Sequence, residues 1–152
     1  MDDYIKYITD RQNRGAAKRL QKPDPNVQRE RRRQFEALAD SFWESLLQSL
    51  IADCERFNNS SKRGKIELTC DHGVFRAKNI GFPAYLTVTF DKKAEQVVCS
   101  YWFLTHNRKR YRYRHKLNVA ADNNQLQLTR SERPIDPSQN AQTILYEFLR
   151  RL

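Results

Sequence analysis

Apolar and polar positions along this chain change period twice. Over residues 26–57 the period is helical. Phe35, Leu38, Phe42, Leu46, Leu50, Cys54 and Phe57 recur at spacings of three and four, and Leu47 and Ile51 widen the stripe. Glu36, Asp40, Glu44 and Gln48 form a second stripe at spacing four. A strict heptad continued from Phe35, Leu38 and Phe42 lands on Ser45 and Ser49, so the pattern predicts a helix laid across a sheet rather than a coiled coil. Asp24 is placed to cap this helix, and Pro25 suits its first turn.

Beyond the polar loop at 58–63 the period becomes two, the signature of strands with one buried face. Ile66, Leu68 and Cys70 alternate with Glu67 and Thr69, and Asp71-His72-Gly73 reads as a turn. A weaker strand over 74–79 ends at Gly81-Phe82-Pro83. Leu86, Val88 and Phe90 alternate with Tyr85, Thr87 and Thr89, and a long aromatic strand follows over 96–105. His106-Asn107-Arg108 turns into a basic strand, and Leu126 and Leu128 mark the last one. Arg133-Pro134 is expected to stop the sheet. Asp136, Pro137 and Gln139 then occupy the cap, first and third positions of a closing helix whose apolar face runs from Ala141 to Leu152.

The expected class is therefore α+β: an antiparallel sheet of about five to six strands packed against a long N-terminal amphipathic helix and a C-terminal helix. Residues 1–24 read as a basic N-terminal helix or arm, with Ile5, Ile8 and Leu20 as its faint apolar pattern. Residues 25–152 read as one domain.

Composition narrows the partner more than the chemistry. The net charge of +10 is unevenly spread: residues 94–118 carry six Lys/Arg against one acidic residue, whereas residues 35–60 carry one against five. Positive charge held in blocks suits nucleic acid or an anionic membrane surface. Three widely spaced cysteines, Cys54, Cys70 and Cys99, fit neither a disulfide framework nor a zinc site. Reduced thiols, the absence of an apolar leader and the absence of any run of about 20 apolar residues predict a cytoplasmic protein without a transmembrane segment.

No glycine-rich phosphate loop and no metal-binding spacing occurs. Cys70-Asp71-His72 juxtaposes nucleophile, acid and base, but neighbours on a strand point apart. His106 and His115 flank the basic strand, but the strand pattern puts His115 among the aromatics, away from the cations. The sequence thus predicts a non-enzymatic binder with no catalytic residues, metal or cofactor.

The candidate surface is Arg108-Lys109-Arg110-Tyr111-Arg112-Tyr113-Arg114-His115-Lys116. As a strand it places Arg110, Arg112, Arg114 and Lys116 on one side, about 6.5–7 Å apart, where unpaired like charges are unfavourable without an anionic partner. If Thr105 faces Arg110 across an even-numbered loop, Phe103 opposes Arg112 and Tyr101 opposes Arg114. Stacking rings would then lie among phosphate-binding cations. An odd loop would send Tyr101 and Phe103 into the core. A second basic cluster, Arg29 with Arg31, Arg32 and Arg33, opens the long helix at the end of the helix dipole that disfavours cations. The expected partner is an anionic polymer, nucleic acid, with single-stranded nucleic acid or RNA favoured. The alternatives are a protein partner or second copy docked on apolar helix surfaces, and anionic lipid. The acidic helix, through Glu36, Asp40 and Glu44, is the internal competitor for the same cations.

Overall fold

The structure is a computed structural model that describes residues 5–11, 24–62 and 65–152. The chain divides into two compact units, Met1–Arg33 and Gln34–Leu152. The first contains a helical stretch over residues 5–11 (α1) and the opening turns of α2 (Pro25–Ser60). Asp24 caps α2 as expected: its Oδ1 accepts from Asn26 N at 2.9 Å and its carbonyl from Gln28 N at 3.1 Å. The part of the expected basic arm that contains Leu20 lies outside the described residues.

The second unit contains the rest of α2 and a seven-stranded antiparallel sheet. The strands are β1 (Ile66–Asp71), β2 (Val74–Asn79), β3 (Ala84–Asp91), β4 (Gln96–Leu104), β5 (Arg110–Asp122), β6 (Gln125–Arg130) and β7 (Arg133–Pro134). They lie side by side in chain order, so every connection is a hairpin. A 3-10 turn, Pro137–Gln139, leads into α3 (Asn140–Leu149). Asp136 caps that turn, accepting from Ser138 N at 3.0 Å. The count exceeds six because Arg133-Pro134, expected to stop the sheet, adds a two-residue edge strand. Pro134 has no N–H to donate, and an edge is where proline is tolerated.

One sheet face carries the core. Phe75, Ala77, Leu86, Val88, Val97, Cys99, Leu117, Val119 and Leu128 are buried there with Phe35, Leu46 and Leu50 of α2 and Ile144, Leu145 and Phe148 of α3. Phe90 joins α2 to the sheet, with Phe42 and Trp43 centred 5.5 and 5.9 Å from its ring. Asn58 locks the end of α2 to the start of β1: Ile66 N donates to its Oδ1 at 2.7 Å and its Nδ2 donates to Ile66 O at 2.9 Å. α2 beyond Gln34 and α3 lie on the inner face, and the other face carries exposed side chains on four strands, among them Arg76, Lys78, Tyr85, Ser100, Arg112 and Arg114.

Candidate nucleic-acid interface

The β4–β5 hairpin does not take the expected register. Tyr101 pairs with Tyr113, Phe103 with Tyr111 and Trp102 with Arg112, one residue away from the even-loop alignment. The loop is three residues, His106-Asn107-Arg108. Arg108 N donates to Thr105 O at 2.9 Å, and Arg108 itself sits in the left-handed region at φ 57°. Thr105 seals the closure, its N donating to Lys109 O at 2.9 Å and its Oγ1 accepting from Lys109 N at 3.1 Å. The odd loop flips β4 relative to β5. Tyr101 and Phe103, expected as surface stacking rings, are 2% and 3% exposed. They belong to the inner face, where the Tyr101 hydroxyl donates to Ile144 O at 2.6 Å.

The cations keep their place, and the flip supplies other rings. Arg110, Arg112, Arg114 and Lys116 are all exposed on the outer face, opposite Leu104, Trp102, Ser100 and Val98. The register extends this order across four strands. Lys78, Tyr85, Trp102 and Arg112 form one transverse row, and Arg76, Thr87, Ser100 and Arg114 form the next. Tyr85 and Trp102 are ring neighbours at 5.0 Å, and Lys78 Nζ lies 5.9 Å from the Tyr85 centroid. Beside them opens a shallow cleft of about 440 Å³ whose lining includes Tyr85, Thr87, Ser100, Trp102, Arg112 and Arg114, with Tyr101 and Tyr113 also contributing. It offers planar apolar surface, two hydroxyls and two guanidinium groups. Those are the elements that bind a base by its face and a phosphate by its charge.

The acidic helix does not neutralise the row. It packs on the inner face, and Asp40 pairs with Lys92 in the β3–β4 turn instead. Among the described residues, Arg110, Arg112, Arg114 and Lys116 have no carboxylate within ion-pair distance. Arg108 and Lys109 lie exposed at the hairpin tip. Arg29, Arg31, Arg32 and Arg33 lie on the opening turns of α2, in the unit Met1–Arg33.

The inner face of β5 near the tip is also partly open. Tyr111 and Tyr113 are exposed, and Arg151 lies over Phe103 and Tyr111 at 4.7 and 5.2 Å. The two histidines flanking the basic run are far apart. His106 sits by Phe82 at the tip, whereas His115, opposite Cys99, is about 20 Å further along the strand on the other side from the cations. Burial pushes the Cys54 and Cys99 thiols up to about 12, while exposed Cys70 is raised by partial burial and by Glu44. All three cysteines are unpaired. Among the described residues no helix is long and apolar enough to cross a membrane. Comparison of the chain with protein-family models, curated proteins and solved structures yields no match.

Proposed function

We propose that this protein is a non-enzymatic nucleic-acid-binding module that holds single-stranded nucleic acid or RNA on the outer face of its sheet. The observation that carries this reading is the row Arg110, Arg112, Arg114 and Lys116, which meets no carboxylate among the described residues, beside the Tyr85–Trp102 ring pair. Phosphate contacts supply affinity, and each one neutralised on a single strand adds about 0.7 to the slope of log affinity against log salt. The rings add sequence-tolerant stacking. The odd, unpaired cysteines support a reducing, cytoplasmic setting for this activity.

The test is titration of a labelled single-stranded oligonucleotide over a range of sodium chloride. Affinity is expected to fall steeply with salt, and Arg112→Glu with Arg114→Glu to weaken binding by at least about tenfold without lowering the melting temperature. Equal affinity in the folded double variant would refute the proposal. Co-sedimentation with acidic but not neutral vesicles, without oligonucleotide binding, would assign the same cations to lipid. A protein-docking alternative rests on one specific feature, the groove of about 500 Å³ between α2 and α3 lined by Phe57, Leu145, Tyr146 and Leu149. Tyr146→Glu leaves oligonucleotide affinity unchanged if the sheet is the working surface.

A further inference from the structure

The transverse rows give the bound strand a direction. Cations sit at both ends of them, Arg76 and Lys78 on β2 and Arg112 and Arg114 on β5. Within the two rows, the positions between these cations on β3 and β4 carry no charge: Tyr85 and Thr87, then Ser100 and Trp102. The nearest carboxylate on that side of β3, Asp91, lies at its far end, two same-face positions beyond Thr87. Three inter-strand steps separate the two cation pairs, about 14 Å at the usual strand spacing. Glu67, paired in register with Lys78, ends the positive field at the β1 edge.

We infer that a single strand crosses the sheet from β2 to β5, perpendicular to the protein strands. Two consecutive unpaired bases rest on Tyr85 and Trp102, and the flanking phosphates meet Arg76/Lys78 at one end and Arg112/Arg114 at the other. This rests on the nucleic-acid reading above and adds the path, the footprint and the requirement for unpaired bases. A polyanion lying along β5 alone would leave both rings unused. It would also leave the β2 cations about 14 Å away, beyond the screening length of about 8 Å at physiological salt. A duplex keeps its bases stacked inside and has no face to offer the ring pair. A crossing strand uses every cation and ring of the two rows. The hydroxyls of Thr87 and Ser100 line its middle, within reach of polar edges or of the sugar.

The path is tested by reversing charge at its two ends separately. The probes are a labelled oligothymidine of about eight nucleotides and a hairpin duplex of the same charge, with folding checked by circular dichroism and melting. Arg76→Glu with Lys78→Glu is expected to weaken the single strand at least about tenfold and to lower its salt slope by about 1.4, two contacts' worth. Trp102→Ala is expected to weaken the same probe by about 5- to 150-fold while leaving duplex affinity unchanged. If the reversed pair disturbs folding, Arg76→Gln with Lys78→Gln carries the same expectation at smaller size. Unchanged affinity on reversing β2, with loss on reversing Arg112 and Arg114, would overturn the crossing path and leave the nucleic-acid reading standing. Equal binding of duplex and single strand, with Trp102→Ala silent, would also overturn it. If neither reversal matters, the nucleic-acid reading itself falls.

Discussion

Tyr101 and Trp102 are chain neighbours with opposite fates, and their surroundings explain why. Tyr101 is packed against Phe103 and Tyr113, and its hydroxyl finds the Ile144 carbonyl, so its one polar atom is satisfied inside. Trp102 faces outward between Tyr85 and Arg112. His115 shares the inner side with Tyr101, its ring 6.1 Å from Tyr113. Burial, and secondly the Arg130 charge, hold its imidazole below the ordinary 6.5 against an opposing pull from Glu147. The unfolded chain therefore takes up a proton at His115 more readily than the folded one. Its contribution to stability is present above pH 6.5 and is lost as pH falls below that value toward the folded-state pKa. Removing the titrating group in His115→Gln should flatten this part of the profile. Denaturant unfolding of both proteins at several pH values checks it, and parallel profiles would show that His115 titrates alike in both states.

At the scale of the element, the β4–β5 hairpin decides what the outer face contains, and Arg108 decides the hairpin. A three-residue loop with its last residue left-handed is a favoured way to join antiparallel strands, but glycine or asparagine usually takes that position. Here an arginine does, at φ 57°. Arg108→Gly should keep the register and raise stability by about 1 kcal/mol, read from the denaturant midpoint at constant m value. If binding is unchanged in that variant, Arg108 makes no phosphate contact and the working cations lie further along β5. A lower midpoint would mean that the arginine side chain holds the turn. The same position explains what the sequence concealed. The helices, the α+β class, the cation row and the outward Tyr85 follow from periodicity, because one side of each pattern is plainly polar. In β4 both parities are apolar, Val97, Cys99, Tyr101 and Phe103 against Val98, Trp102 and Leu104, and only Ser100 and the opening Gln96 mark the outer one. Without a glycine to fix the loop length, Asn107-Arg108 fits a loop of three or four residues equally. One residue of ambiguity exchanges Tyr101 and Phe103 for the half-buried Trp102 as the rings of the outer face. Arg133-Pro134 escaped notice as a strand because two residues carry no period.

Across the sheet unit as a whole, function and stability draw on opposite faces. α2, with its acidic stripe, and α3 cover the inner face, while the outer face holds cations that no carboxylate of the described residues neutralises. Along β5 these cations stand about 6.5–7 Å apart, within the screening length of about 8 Å at physiological salt, so they repel one another in the free protein. An anionic ligand relieves that repulsion; without one, small ions must do so. The free protein should therefore melt at a higher temperature as sodium chloride is raised from a few millimolar toward physiological strength. Arg112→Gln with Arg114→Gln should raise the melting temperature at the low-salt end by about 1–2 °C and reduce its salt dependence. The series needs chloride, since sulfate would strengthen apolar burial as well. Were the two arginines engaged by internal carboxylates, the signs would invert: salt would weaken those pairs, and the double variant would melt lower at low salt. Substitutions at these two positions thus report on the free state through melting and on the bound state through affinity. A face kept for a polyanion requires a gain in the first and a loss in the second.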